Sequence, residues 1–76
     1  MSQRLIEDGV RRALNDYFRD LGDVEPDGLH DLILKAAERP LLAEVMARTD
    51  GNQSRAAEWL GINRNTLRRK LQDHGL

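Results

Sequence analysis

The sequence predicts an all-α protein, and three observations carry that prediction. Apolar residues recur three and four positions apart along most of the chain. β-branched residues are few and no alternating run appears, so strand signals are missing. Glycine and proline gather in GDVEPDG and TDG and recur at Gly61 and Gly75, cutting the periodic stretches into four helices.

Ile6, Val10, Ala13, Leu14, Tyr17, Phe18 and Leu21 form one apolar stripe, which predicts a first helix from about Leu5 to Leu21, ended by Gly22. Pro26 suits a helix start, where its missing N–H costs nothing, and Asp27 or a neighbour suits the cap. A second helix is expected from about Asp27 to Arg48. Its apolar set is dense: Leu29, Leu32, Ile33, Ala36, Ala37, Leu41, Leu42, Val45 and Met46. Leu34 lies off that stripe, so a second apolar face is indicated. Pro40 removes a backbone hydrogen bond and predicts a kink, or a break into two helices at Arg39–Pro40. After TDG, Asn52 is a natural N-cap for a short helix, Gln53 to Leu60. Gly61 breaks it, Asn63 caps a last helix from Arg64 to about His74, and Gly75 ends that one.

A chain of 76 residues is one domain and buries only about 60% of its unfolded surface. Small chains of this kind need disulfides, a metal or a partner subunit. Cysteine is absent and only His30 and His74 offer imidazole, so neither a disulfide nor a metal site is expected. A second copy of the chain is the remaining source of stability. Its contact is expected at Leu29, Leu32, Ile33, Ala36, Leu41, Leu42, Val45 and Met46, the wide apolar face of the second helix. No membrane span and no secretory leader are read from the sequence, and a cytoplasmic protein is expected.

Charge is divided along the chain. Residues 1–51 hold seven Lys/Arg against eleven Asp/Glu, a net −4, and residues 52–76 hold five against two, a net +3. An acidic protein overall (−1) thus carries a basic end able to face phosphate. In that end, two short helices joined through a glycine have the pattern of a helix-turn-helix. Ala57 is small where the helices must approach, and Leu60, Ile62, Leu67 and Leu71 suit the small core between them. Trp59 is expected to pack on the second helix or cover the joint. Asn63, Arg64, Asn65 and Thr66 fill the first turn of the last helix, the end that such a helix presents to base edges. Asn and Arg pair bidentately with adenine and guanine. Arg68, Arg69 and Lys70 follow one turn later, placed for phosphates. Asn52, Gln53 and Ser54 open the preceding helix, where amides, a hydroxyl and free N–H groups suit a phosphate oxygen.

The run RPLLAEVMARTDGNQSRAAEWLGINRNTLRRKLQDHGL resembles the C-terminal part of the Fis family, the bacterial factors for inversion stimulation. PLL, GNQSRAA, LGINR, NTLRRKL and the closing HGL carry the likeness, and VRRALNDYFRDL resembles that family's first core helix. The resemblance implies a single domain over residues 1–76, with a dimerisation core over about 5–48 and a helix-turn-helix over about 52–76. It implies an intertwined homodimer of four-helix chains, with the second helix kinked at a proline that Pro40 matches. It also implies a nucleoid protein that binds and bends double-stranded DNA and regulates transcription. By motif position Asn63 and Arg64 correspond to base-edge readers, with Arg68 nearby. Asn52, Gln53, Ser54, Thr66, Arg69 and Lys70 correspond to backbone contacts. Family members that activate DNA invertases carry a longer N-terminal arm. Here Met1 to Arg4 precede the expected first helix, so invertase contact is not expected.

Two other readings share these features. A similar helix-turn-helix closes the bacterial enhancer-binding activators, and a dimerisation or adaptor domain with an acidic docking face would need no DNA. The adaptor would leave Asn63 and Arg64 without a purpose. No nucleophile–base pair, phosphate loop or metal set is present in the sequence, so neither an enzyme, a cofactor nor a small-molecule ligand is expected.

Overall fold

A computed structural model describes residues 2–76, which form four α-helices: α1 (Gln3–Leu21), α2 (Leu29–Arg48), α3 (Gln53–Leu60) and α4 (Arg64–His74). The described residues include no strand, in agreement with the all-α expectation. Among the described residues no helix is long and apolar enough to cross a membrane. The chain divides into two compact units between Ile33 and Leu34, and each is described by itself.

The first unit holds α1, the loop after it and the opening turn of α2. α1 begins at Gln3, two residues before the expected start, because Ser2 takes the extended backbone of a cap and its carbonyl accepts from Leu5 N–H at 3.2 Å. It ends at Gly22, whose N–H bonds to the Phe18 carbonyl at 3.2 Å. The apolar stripe forms as read, yet no residue of α1 is buried. Val10, Leu14, Tyr17 and Leu21 are half-covered, while Leu5, Ile6 and Phe18 are exposed. Ion pairs Asp8–Arg11 (3.2 Å) and Asp16–Arg19 (3.5 Å) decorate the helix. Both are largely solvated, and such pairs contribute only about 0.2–0.5 kcal/mol. Most helical stability in proteins comes from packing of an amphipathic face, so α1 depends on something that covers its stripe.

The start of α2 differs from expectation. Pro26 and Asp27 lie in the loop, and the helix begins at Leu29. Gly28 has φ +67°, a left-handed backbone that cannot belong to a first helical turn. Its carbonyl nevertheless accepts the opening helical bond, from Leu32 N–H at 3.1 Å.

In the second unit α2 runs through Pro40 unbroken, which excludes the two-helix alternative. The proline ring deprives the Ala36 carbonyl of its usual donor, and Ala36 stands at an exposed position where that loss is tolerable. The helix ends on a hydrogen-bonded hook. Thr49 is buried and its hydroxyl donates to the Val45 carbonyl at 2.9 Å. Asp50 turns into the left-handed region (φ 53°), and the N–H groups of Asp50 and Gly51 bond to the carbonyls of Ala47 (3.3 Å) and Met46 (2.9 Å). This is a Schellman termination with Asp where Gly is usual.

The core of this unit consists of Leu42, Ala56, Ala57, Leu67 and Leu71, flanked by Val45, Met46, Leu60 and Ile62. Two adjacent alanines let α3 approach closely. Leu42 departs from the set assigned to a second chain, since only 2% of its surface remains exposed and its own chain covers it. Val45 and Met46 also lean on this core, whereas Leu32 and Leu41 stay exposed, as does Ala36, and Leu29 and Ile33 are half-covered. Trp59 does not cover the joint. It is 53% exposed, with the Arg55 guanidinium 5.6 Å from its ring centroid. The inward face of α3 is already taken by Ala56, Ala57 and Leu60. At about 100° per residue Trp59 falls to one side of that face.

Candidate nucleic-acid interface

The turn between α3 and α4 is built from backbone bonds. Gly61 adopts the left-handed conformation (φ 73°, ψ 30°) that a β-carbon disfavours. It donates to the Glu58 carbonyl at 3.2 Å, and Ile62 donates to the Ala57 carbonyl at 3.1 Å. The pair of bonds closes α3 and aims the chain into α4. Both expected N-caps form. Asn52 Oδ1 accepts from Arg55 N–H at 3.0 Å, and Asn63 Oδ1 accepts from Asn65 N–H at 2.8 Å. Each cap uses one of two lone pairs on the amide oxygen and leaves the NH₂ group free of it. Asn63 can therefore cap and still meet a further partner.

The pattern of α4 separates its two sides. Leu67 and Leu71 are buried in the core, and Lys70 and His74 are half-buried beside them. Asn63, Arg64, Asn65, Arg68 and Arg69 are exposed, and Thr66 is half-buried at the edge. Asn65, Arg68, Arg69 and Gln72 line one open depression on the outer side. Spacings of three, four and seven put these four on a single face. At the start of α3, Asn52 and Ser54 are exposed and Gln53 is half-buried. The structure thus brings Asn63, Arg64, Arg68 and Arg69 onto the exposed surface of one short, well-anchored helix.

Lys70 departs from the expectation of a free cation. Its Nζ lies 2.9 Å from Glu38 Oε2, and His74 Nε2 lies 2.9 Å from the other oxygen of the same carboxylate. The adjacent Arg39 guanidinium donates to the His74 carbonyl. The hydrogen bond from Lys70, then that of His74, holds the Glu38 carboxyl below its ordinary range. Sequence reading missed this cluster. Glu38 stands 32 residues from Lys70 and 36 from His74, and no local periodicity links them.

The comparisons with known proteins agree with this geometry. Residues 33–74, more than half of the chain, match the bacterial regulatory proteins of the Fis family. A Fis-like DNA-binding protein of Ralstonia nicotianae is 54% identical over 76 residues, covering 100% of this chain and 99% of its own. One from Neisseria meningitidis is 51% identical over 71 residues, 93% of this chain and 90% of that protein. The DNA-binding protein Fis of Proteus mirabilis is 45% identical over 76 residues, with 100% of this chain and 78% of the longer protein aligned. The four-helix fold, the glycine-closed helix pair and these relatives lead to one assignment: the chain belongs to the Fis family of bacterial regulatory proteins.

Proposed function

We propose that this protein is a homodimer that binds and bends double-stranded DNA, acting in the cytoplasm as a nucleoid-associated regulator of transcription. The observation that carries the reading is the first turn of α4. It exposes Asn63, Arg64 and Asn65, with Arg68 one turn on, while Leu67 and Leu71 anchor the helix from behind. Asn63, Arg64 and Arg68 meet base edges in the major groove. Asn52, Gln53, Ser54, Thr66 and Arg69 meet the DNA backbone, fixing register without reading sequence. The printed names of the relatives, DNA-binding proteins of the Fis type, support this reading.

Dimerisation is supported by what the chain leaves uncovered. Leu5, Ile6 and Phe18 of α1 and Leu32, Leu34 and Leu41 of α2 are large, apolar and exposed. A second copy burying these residues would supply the cover that α1 lacks. Leu29, Leu32, Ile33, Ala36 and Leu41 remain in the proposed contact, while Leu42, Val45 and Met46 serve the core of their own chain first. Bending follows from the family resemblance, which implies two recognition helices closer together than one turn of DNA and a second helix kinked at a proline that Pro40 matches.

Sedimentation and a gel-shift titration against duplex DNA at several salt concentrations test the proposal together. Arg64, Arg68 and Arg69 are the exposed cations of α4. Each phosphate that the dimer's cations neutralise should steepen the fall of log affinity with log salt by about 0.9. A monomer at all concentrations, or binding indifferent to salt, would refute it.

A further inference from the structure

We propose that Glu38 is a positioning residue for DNA recognition, and that Lys70 serves Glu38 rather than the DNA backbone. The inference rests on the DNA-binding reading above and concerns a cluster that reading does not use.

Each oxygen of the Glu38 carboxylate takes one partner from α4: Lys70 Nζ at 2.9 Å and His74 Nε2 at 2.9 Å. The partners are four residues apart, one turn of the same helix face, and lie beside the buried Leu67 and Leu71. The next residue of α2, Arg39, bonds to the His74 carbonyl. That carbonyl sits at the C-terminus of α4, where acceptors are unpaired and the helix dipole favours a cation. Two consecutive residues of α2 therefore grip the rear half of the helix whose front half carries Asn63 and Arg64.

Apolar packing alone would hold α4 less definitely. The contact of Leu67 and Leu71 with Leu42, Val45 and Met46 is non-directional and resists separation more than rotation. At a helix radius of about 5–6 Å with side chains, a roll of about 20° carries a side chain by about 2 Å. A functional constellation tolerates only about 0.5 Å and 10–20°. A carboxylate with two fixed donors, plus a bond at the helix end, supplies the missing directional restraint. For Lys70 to reach a phosphate it would have to leave that carboxylate and turn from the inward side of α4, while Arg68 and Arg69 are already exposed.

The test compares Lys70→Gln, Glu38→Ala, Glu38→Gln and the Glu38→Ala/Lys70→Gln double variant with the unaltered protein. The probes are a tight-binding duplex selected from a random pool and the pool itself, each over a range of salt. Lys70→Gln is expected to leave the salt slope on the pool unchanged. Lys70→Gln and Glu38→Ala should each weaken the selected duplex about tenfold more than the pool, a loss on the scale of one misplaced base contact. The double variant should be no worse than either single one. Glu38→Gln, which keeps a hydrogen-bonding head, should recover part of the loss. It also keeps the test open should Glu38→Ala fail to fold.

A slope flattened by about one unit per chain in Lys70→Gln would make that residue a phosphate contact and overturn the proposal. Tighter binding of both probes by Glu38→Ala would overturn it too, showing a carboxylate that merely competes with DNA. So would equal losses on the two probes. Failure of the unaltered protein to bind any duplex would show itself before any variant is compared. It would sink the parent reading and this one with it.

Discussion

Leu67→Ala is the sharpest perturbation of the interface that leaves every polar residue of it in place. Leu67 is 0% exposed, enclosed by Leu42, Ala56, Ala57 and Leu71 with Val45, Met46, Leu60 and Ile62 around them. Truncation removes three carbons, about 2.4 kcal/mol at about 0.8 kcal/mol for each. The cavity adds to this, because the neighbouring alanines are too short to fill it. Leu→Ala substitutions at such sites cost about 2.7–5 kcal/mol, so about 3–4 kcal/mol is expected here. The whole stability of 76 residues is about 4–11 kcal/mol at the usual range per residue. The assay is urea unfolding followed by helical circular dichroism, at one fixed chain concentration because a dimer's stability depends on it. With a slope of about 1 kcal/mol per molar urea, the midpoint should fall by about 3 M, or the variant should be largely unfolded without urea. Val24→Ala, at an exposed loop position, is the control and should stay within about 0.5 kcal/mol of the parent. If Leu67→Ala costs less than about 1 kcal/mol, the core joining α2, α3 and α4 is not what holds α4, and the packing argument fails.

Three further predictions concern single residues. Arg64→Ala should lose about 1–3 kcal/mol on a selected duplex and much less on random DNA, measured by gel shift; equal losses would place Arg64 among the phosphate contacts. Glu38 has its folded pKa held down, so the stability it contributes is present above its ordinary value and drains away as pH falls through the depressed one. Unfolding at a series of acidic pH values should show that loss in the parent protein and a flatter profile in Glu38→Gln. An unchanged profile would show that the carboxylate is unimportant to the fold. Asp50→Gly should raise stability by about 1 kcal/mol, because Asp50 sits at φ 53° where a β-carbon is strained. A destabilised variant would mean that the aspartate side chain contributes more than its backbone costs.

The local features were legible because their causes are local. Periodicity marked all four helices, and each boundary set by a cap or a glycine came close: Gly22, Asn52, Gly61, Asn63 and Gly75 stand where they were read. Capping is a bond between a side chain and the backbone two or three residues away, so a short window of sequence contains both partners. The start of α2 was misread for a related reason. Proline and aspartate favour a helix start in general, but the actual left-handed backbone of Gly28 decided this one. The polar first turn of α4 was legible too: Arg64, Arg68 and Arg69 are exposed as read, while Leu67 and Leu71 are buried.

The sequence by itself determined the fold class, the helix-turn-helix and the side of α4 that faces out. Tertiary structure decided who shares the core and who holds whose charge. Leu42 looked like part of an interface because an apolar residue on a wide stripe does not reveal which neighbour will cover it, and α3 and α4 cover it here. Trp59 suggested a cover for the joint because it is large, yet Ala56, Ala57 and Leu60 take the inward face of α3 and Trp59 stays 53% exposed. Lys70 looked like a phosphate contact until Glu38, 32 residues earlier, came within 2.9 Å. Hydrophobic spacing is written along one helix, whereas an ion pair between helices exists only once both have packed, and the chain's linear order holds no trace of that distance.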